Sequence, residues 1–544
     1  MQILDIITII LFSVGVLVTG ISLSRSGKDL KGFFAGGGNI PWGISGLSLF
    51  MGFFSAGTFV VWGSIAYSYG VTAIVIQLTM AVAGFVVGTM IAPKWQRTGA
   101  LTAAEYITEN FGAGTQKAYT YIFLVVSVFT SGAFLYPVAK ILEVAAGIPL
   151  TWSILALGFF CIIYTSLGGL RGVMVTDVLQ FVILFSAVII AVPLSFSKIG
   201  GVAALLENAP QGFFDCFRGE YSPWFIFAFC LYNAVFIGGN WSYVQRYTSV
   251  STPSKARKVG WLFGGLYLIS PILWMLPPMI YRILNPELAG LENENAYLLM
   301  CKAALPQGLL GLMLGGMVFA TASSLNGSLN ISAGVLTNDI YKSLCPDASD
   351  RRLILVARVS TIFFGLLAIA VALMVKSMGG IVNVVISVAA LTGVPLYLPV
   401  IWSMFSARQT GRTMLIATLV SLAVNLFFKF AAPVLFSLTL SRGQEMMLGA
   451  LTPVAVLLIS EVYLKCTGAE KRHVAVKNNG RDSVGGTGEQ TNRFTNRVLG
   501  ISIGVAGVLV FVLGCISGAG EVVPMLVGLG VAVTGLFIFL KSRR

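Results

Sequence analysis

The chain has 544 residues, of which 56% are hydrophobic and only 10% charged, with a mean hydropathy of +0.88. Soluble domains carry about 25% charged residues, so this composition excludes a soluble globular protein. The formal charge of +14 at pH 7 comes from 35 Lys and Arg against 21 Asp and Glu; in so apolar a chain it reads as membrane topology and attraction to anionic lipid, with nucleic acid excluded as a partner.

Apolar runs of about 20 residues, rather than short alternating strands, predict membrane-spanning helices, which satisfy their own backbone groups in hydrocarbon. In chain order the predicted spans lie near 3–21, 42–68, 72–93, 118–146, 150–166, 174–195, 223–245, 259–281, 305–338, 353–375, 378–404, 413–432, 446–464, 498–516 and 522–540. The expectation is therefore an all-α, polytopic membrane protein of about fifteen transmembrane helices. The first run carries Asp5, lacks a basic flank and has no small-residue cleavage site, so it is expected to be a retained helix. An odd helix count puts the termini on opposite sides. With the N-terminus outside and the C-terminus cytoplasmic, most Lys and Arg fall inside, including Arg25, Lys28, Lys31, Lys255, Arg257, Lys258 and the Lys465 to Arg497 stretch. A multi-pass protein of the plasma (inner) membrane is expected.

Six segments follow from this pattern. Residues 1–41 form an extra N-terminal helix and cytoplasmic loop, 42–195 and 223–404 are blocks of five helices each, and 405–465 supply two additional helices. Residues 466–497, polar and glycine-rich, read as a flexible cytoplasmic linker, and 498–544 as a terminal hairpin. Because five is odd, the two blocks run in opposite directions, the layout of inverted five-helix repeats. Each block opens on a helix interrupted by flexible residues: Gly52-Phe53-Phe54-Ser55-Ala56-Gly57 in one and Gly238-Gly239-Asn240 in the other. One such break would as readily reflect close helix packing through glycine. A matched pair points to a solute site near the midplane, where unwound backbone offers free carbonyls and amides. The seven cysteines contain no CxxC; Cys161, Cys230 and Cys515 fall inside spans, and Cys216 and Cys301 fall in predicted external segments where pairing is open.

Ionisable residues within spans are costly and mark functional sites. Asp177 lies one turn into the sixth predicted helix, read either as a site residue or as a structural partner of Arg171 or another loop cation. In the ninth helix, Ala320, Ser323 and Ser324 belong to a dense run of hydroxyl and amide residues ending at Asn330. Such serines bind a hard cation such as sodium, or bond the carbonyl four residues back and hold helices together. Lys140 and Glu143, at i and i+3, read as an edge ion pair or as an attractor for a carboxylate solute. The only histidine is His473, in the predicted linker, which argues against a membrane enzyme built on histidine chemistry.

Three runs carry a resemblance: Gly168-Gly169-Leu170 with Thr176-Asp177 and Gln180; Ala320 with Ser323-Ser324-Leu325, Asn330 and Thr337 to Tyr341; and Gly238, Asn240 with Gln245-Arg246. In them the chain, over residues 1 to about 465, resembles the sodium:solute symporter family, whose fold is of the leucine-transporter type with one extra N-terminal helix. The resemblance implies a sodium site made by the backbone carbonyls of Met51 and Phe54, the carbonyl of Ala320 and the hydroxyls of Ser323 and Ser324. It implies a possible second sodium, or a sodium-release role, at Asp177; of the further ligand positions, Asn326 and Gly327 leave only the Asn326 oxygen. Solute contacts carried over from sugar-transporting members are Thr58, Gln77, Asn233 and Tyr267, with Phe236 as an inner gate; Gln77, Tyr267 and Thr58 depart from the residues those members place there. The expected function is sodium-coupled uptake of a small organic solute, sugar-like or carboxylate, by alternating access. The alternatives are a transporter-like solute sensor acting through a partner and a membrane enzyme; no enzyme activity is expected, and the expected partners are sodium, the solute and the lipid bilayer.

Overall fold

The computed structural model describes residues 2–24, 40–100, 102–165, 170–468, 485–516 and 522–543. Apart from one isolated bridge between Arg218 and Tyr221, every regular element among them is helical. The chain runs through α1 (Ile3–Ser24), α2 (Trp42–Met51), α3 (Gly63–Tyr69), α4 (Val71–Thr98), α5 (Ala103–Ala146), α6 (Leu150–Thr165) and α7 (Leu170–Ile199). It continues through α8 (Pro223–Gly239), α9 (Trp241–Thr248), α10 (Pro253–Leu284), α11 (Leu309–Val335), α12 (Asp350–Met374) and α13 (Ile381–Ser403). Finally come α14 (Gly411–Phe436), α15 (Arg442–Cys466), α16 (Gly485–Ile516) and α17 (Val522–Arg543).

Eleven single helices among the described residues are long and apolar enough to span a bilayer, and α8 with α9 makes a twelfth if that bent pair is one span. The remaining predicted spans contain the shorter apolar helices Ile3–Val16, Trp42–Met51 and Leu150–Ile162. The predicted linker 466–497 departs from expectation at its end: α16 already starts at Gly485. Arg493, a straight-chain residue that loses little rotamer freedom in a helix, belongs to the turns that extend the apolar span backwards. Residues 469–484 lie outside the described residues. Cys216 and Cys301 are both free; Cys216 is exposed while Cys301 is buried in the short helix Ala296–Ala304, so the pairing left open by the sequence is not made.

The core sits around α11. Of its apolar window 89% is buried, against 17% for α17, which packs mainly on α16 at the periphery. A membrane helix that carries hydroxyl and amide side chains belongs inside a bundle, where other helices rather than lipid meet them, and α11 is surrounded by α1, α5, α7 and α12. Its first turn is closed by another element: Asp5 of α1, 2% exposed, accepts hydrogen bonds through Oδ1 from the Gly308 and Gly311 amides at 2.7 and 3.1 Å. Thr8 Oγ1 donates to the Gly308 carbonyl at 2.9 Å. Close approach requires Gly311, where a Cβ would collide with the Asp5 carbonyl oxygen. A carboxylate on helix-end amides is a cap from outside the helix. Replacing Asp5 by Ala is therefore expected to destabilise the bundle by about 1–2 kcal/mol, read as a lowered thermal midpoint in detergent, with Asp5→Asn recovering part of it.

A second seam joins α4 to α10. Gly84 and Gly88 on α4 face Gly260 and Gly264 on α10, each pair one turn apart; a Cβ on Gly260 would run into the Gly88 Cα. Small residues at this spacing bring helix backbones into van der Waals contact where lipid supplies no hydrophobic drive for association.

Candidate functional site

Two helices lose their regular hydrogen bonding at the centre. The first ends at Met51 and resumes at Thr58 in a wide π-helical turn, Thr58–Trp62, that leads into α3. Gly52 lets the chain leave α2 beside Tyr243, whose ring would meet a Cβ there at 2.8 Å. The second break lies between α8 and α9, which are bent by 59°. Asn240 sits in extended geometry at the junction, and its side chain accepts from the Ser242 amide at 2.9 Å. Asn fits a helix start because its short side chain replaces the missing backbone acceptor.

A cavity of about 150 Å³ lies between the first break and α8, lined by Gly52, Phe53, Ser55, Thr58, Asn233, Phe236 and Tyr267 together with α5 and α13 side chains. Four of the five expected solute contacts, Thr58, Asn233, Phe236 and Tyr267, line it. Gln77 does not: it is fully buried on α4 outside this lining, and neither of its amide atoms has a hydrogen-bond partner among the described residues. Position along the helix explains the difference, since Met80, one turn further on, is the α4 residue that reaches the cavity.

Aromatic rings close one side. Phe53 packs on Tyr243 at 4.6 Å between centroids and edge-on to Phe236 at 6.0 Å, and Phe236 meets Tyr397 at 5.7 Å. Beyond Phe236, Tyr243 and Tyr397, which wall both spaces, lies a second cavity of about 80 Å³ lined by Met51, Gly52, Asp177, Asn240, Arg246, Ser323 and Ser324 among others.

Here four elements meet through one carboxylate. Asp177 of α7, 3% exposed, accepts from Ser48 Oγ of α2 at 2.6 Å and from Ser323 Oγ of α11 at 2.7 Å. Arg246 of α9, 6% exposed, donates from Nε to Ser48 Oγ at 3.4 Å and from a guanidinium nitrogen to the Ser242 carbonyl at 2.7 Å. Guanidinium and carboxylate are thus joined through Ser48 rather than directly. The partner of Asp177 is Arg246 from another helix; the side chain of Arg171 lies outside the described residues.

Of the expected sodium ligands, Met51, Ser323 and Ser324 line the second cavity. Ser324 Oγ also bonds the Ala320 carbonyl at 3.2 Å, placing those two oxygens side by side. Phe54 is buried with its ring stacked on Trp274 at 4.6 Å, and the next turn of its segment is tied to α11 by the Ala56 amide bonding Thr321 Oγ1 at 2.9 Å. Asn326, 4% exposed, is not in the lining, where Gly327 and Ser328 follow Ser324 instead. Lys140 and Glu143 form the i, i+3 ion pair at 2.8 Å. Sequence reasoning passed over Arg246, Ser48, Tyr243 and Tyr397. Arg246 was visible as the end of the Gly238 to Arg246 run, but a cation beside a basic loop reads as solvated until its burial is seen.

Two broken helices facing each other across a polar-edged cavity in an all-helical membrane bundle define a secondary transporter. The chain belongs to the sodium:solute symporter family, whose model matches residues 33–421, and sodium is its coupling ion. It is 26% identical over 466 residues to a sodium/glucose cotransporter of Vibrio parahaemolyticus, covering 78% of this chain and 85% of that one. It is likewise 26% identical over 389 residues to the human sodium-coupled monocarboxylate transporter 2, covering 68% of this chain and 63% of that one. A structure of a sodium-coupled sialic acid symporter superposes with a TM-score of 0.73 at 20% identity, over 87% of this chain and 99% of that one; at that identity the likeness shows the fold.

Proposed function

We propose that the chain imports a small organic solute, sugar-like or carboxylate, by alternating access, with the N-terminus outside and the blocks 42–195 and 223–404 acting as inverted repeats. The observation that carries this reading is that the first break and the α8 helix leading to the second line one cavity, while both breaks, through Gly52 and Asn240, meet Met51, Ser323 and Ser324 in an adjoining one. Sodium is held by the backbone carbonyls of Met51, Phe54 and Ala320 and by the hydroxyls of Ser323 and Ser324, oxygen donors suited to a hard cation. Asp177 receives sodium on its way to the cytoplasm rather than holding a second resident ion, because the buried Arg246 guanidinium, joined to it through Ser48, already balances its charge. Solute contacts are Thr58, Asn233, Phe236 and Tyr267. The driving force is the sodium gradient; a potential of 100 mV alone contributes about 2.3 kcal/mol per charge, enough for roughly fifty-fold accumulation.

Ser324→Ala tests the ion site with sodium alone, whatever the solute. In purified protein titrated with sodium chloride against choline chloride, the sodium concentration for half-maximal thermal stabilisation is expected to rise about tenfold, as loss of one oxygen ligand worth about 1–2 kcal/mol dictates. An unchanged midpoint removes Ser324 from the site.

A further inference from the structure

A transporter that binds a carboxylate at such a break offers it a cation or bare helix-end amides. The cavity of this chain lacks the first: no Asp, Glu, Lys, Arg or His is among its described lining residues. Its helix-end amides are engaged within the protein. The Ser55 amide bonds Thr58 Oγ1 at 3.2 Å, the Ala56 amide Thr321 Oγ1 at 2.9 Å and the Thr58 amide the Ser55 carbonyl at 2.9 Å. At the start of α9 the Ser242 amide bonds Asn240 Oδ1, and the Tyr243 and Val244 amides bond the Asn240 carbonyl. The threonine hydroxyls in the lining are spent as donors too: Thr58 on the Phe53 carbonyl at 2.5 Å, Thr130 on the Ser127 carbonyl at 3.0 Å and Thr392 on the Val388 carbonyl at 2.8 Å.

Besides the hydroxyls of Ser55, Tyr232, Tyr267 and Tyr397 and the Trp62 indole N–H, the lining offers one side-chain amide acceptor, and its orientation is set by chemistry. Thr79 Oγ1 of α4 donates to the Ile76 carbonyl at 2.6 Å, so toward Asn233 it presents lone pairs only. Asn233 must then turn its amide nitrogen to Thr79, at 2.8 Å; the flipped amide would set oxygen against oxygen. Asn233 is fully buried, and its Oδ1 has no hydrogen-bond partner among the described residues. A buried carbonyl oxygen left without a donor is unfavourable, and a bound solute that donates to it recovers that penalty. Beside it Phe229, Tyr232 and Phe236 stack along α8 at 5.5 and 5.3 Å, a wall suited to the C–H face of a ring.

We propose that Thr79 is a positioning residue that holds Asn233 as an acceptor, and that the cavity selects an uncharged ring solute donating an O–H or N–H to Asn233 Oδ1, against carboxylates. This rests on the transport reading above and narrows its substrate class.

The test uses the full-length purified protein, with D-glucose, myo-inositol, uridine and nicotinamide as uncharged probes and L-lactate, nicotinate and N-acetylneuraminate as carboxylates. Thermal stabilisation in sodium is expected from at least one uncharged probe and from no carboxylate. Stabilisation by a carboxylate exceeding that by every uncharged probe overturns the proposal, as does a panel in which no uncharged probe stabilises. For the strongest uncharged probe, Thr79→Val is expected to raise Kd about tenfold or more while Thr79→Ser stays within about threefold. An unaltered Kd in Thr79→Val overturns the positioning role. Stabilisation by sodium alone reports separately on the transport reading: its persistence in a failed panel shows that the solute class is wrong and the coupling is not.

Discussion

Arg246→Met is expected to cost the folded bundle about 3–5 kcal/mol and to abolish sodium-driven accumulation in proteoliposomes. The reason is isolated charge. Arg246 and Asp177 lie buried on different helices and share Ser48 as a bridge. Removing one member of a buried pair leaves the other desolvated without compensation, and that penalty, not the worth of the pair, is what the single variant reads. Asp177→Asn is expected to relieve part of the loss when combined with Arg246→Met, because the double variant carries no unpaired charge; a double variant as unstable as the sum of the singles would show that the two residues do not act through each other. Ser48→Ala, which removes the bridge and keeps both charges, separates geometry from charge and is expected to fall between wild type and Arg246→Met.

Gly260→Val is expected to be as damaging by a different route. A side chain there would press on the Gly88 Cα and amide nitrogen, both backbone atoms that cannot rotate away. Overpacking a closed interface costs about 1–3 kcal/mol and more where backbone must move, so the thermal midpoint should fall well below that of wild type. Gly265→Ala is the control, since no atom lies within 4 Å of a Cβ at that position. Equal midpoints for the two variants would mean that α4 and α10 part without cost.

The helical bundle, the two breaks and the polarity of α11 are legible in the sequence because each leaves a local mark: a long apolar run, a cluster of glycines, serines where leucine is expected. Met51, Ser323 and Ser324 are legible for the same reason, joined to family motifs. What the sequence conceals is partnership. Nothing near Asp177 in the chain announces Ser48 or Arg246, which lie 129 and 69 residues away and meet it only because α2 and α9 cross α7 and α11 at one point. Gln77 illustrates the converse: a polar residue in a span invites a binding role, yet it lies one turn short of the cavity on the same face of α4, and Met80 is the residue at the cavity's level. Thr79 carries no sequence signal, because a threonine bonding a carbonyl of its own helix is common in membrane helices.

The clamp of Asp5 and Thr8 on the head of α11 has a mechanical consequence. From Gly308 to Ser324 the helix runs about 24 Å, so that α11 is a rod pinned at one end with its hydroxyls well down its length. A swing of about 5° about the pinned end displaces Ser324 by about 2 Å, a whole metal–oxygen bond length, while the Asp5 end stays in place. A tilt of that size would open or close a shell of oxygens around an ion, with the α1 contact as its pivot.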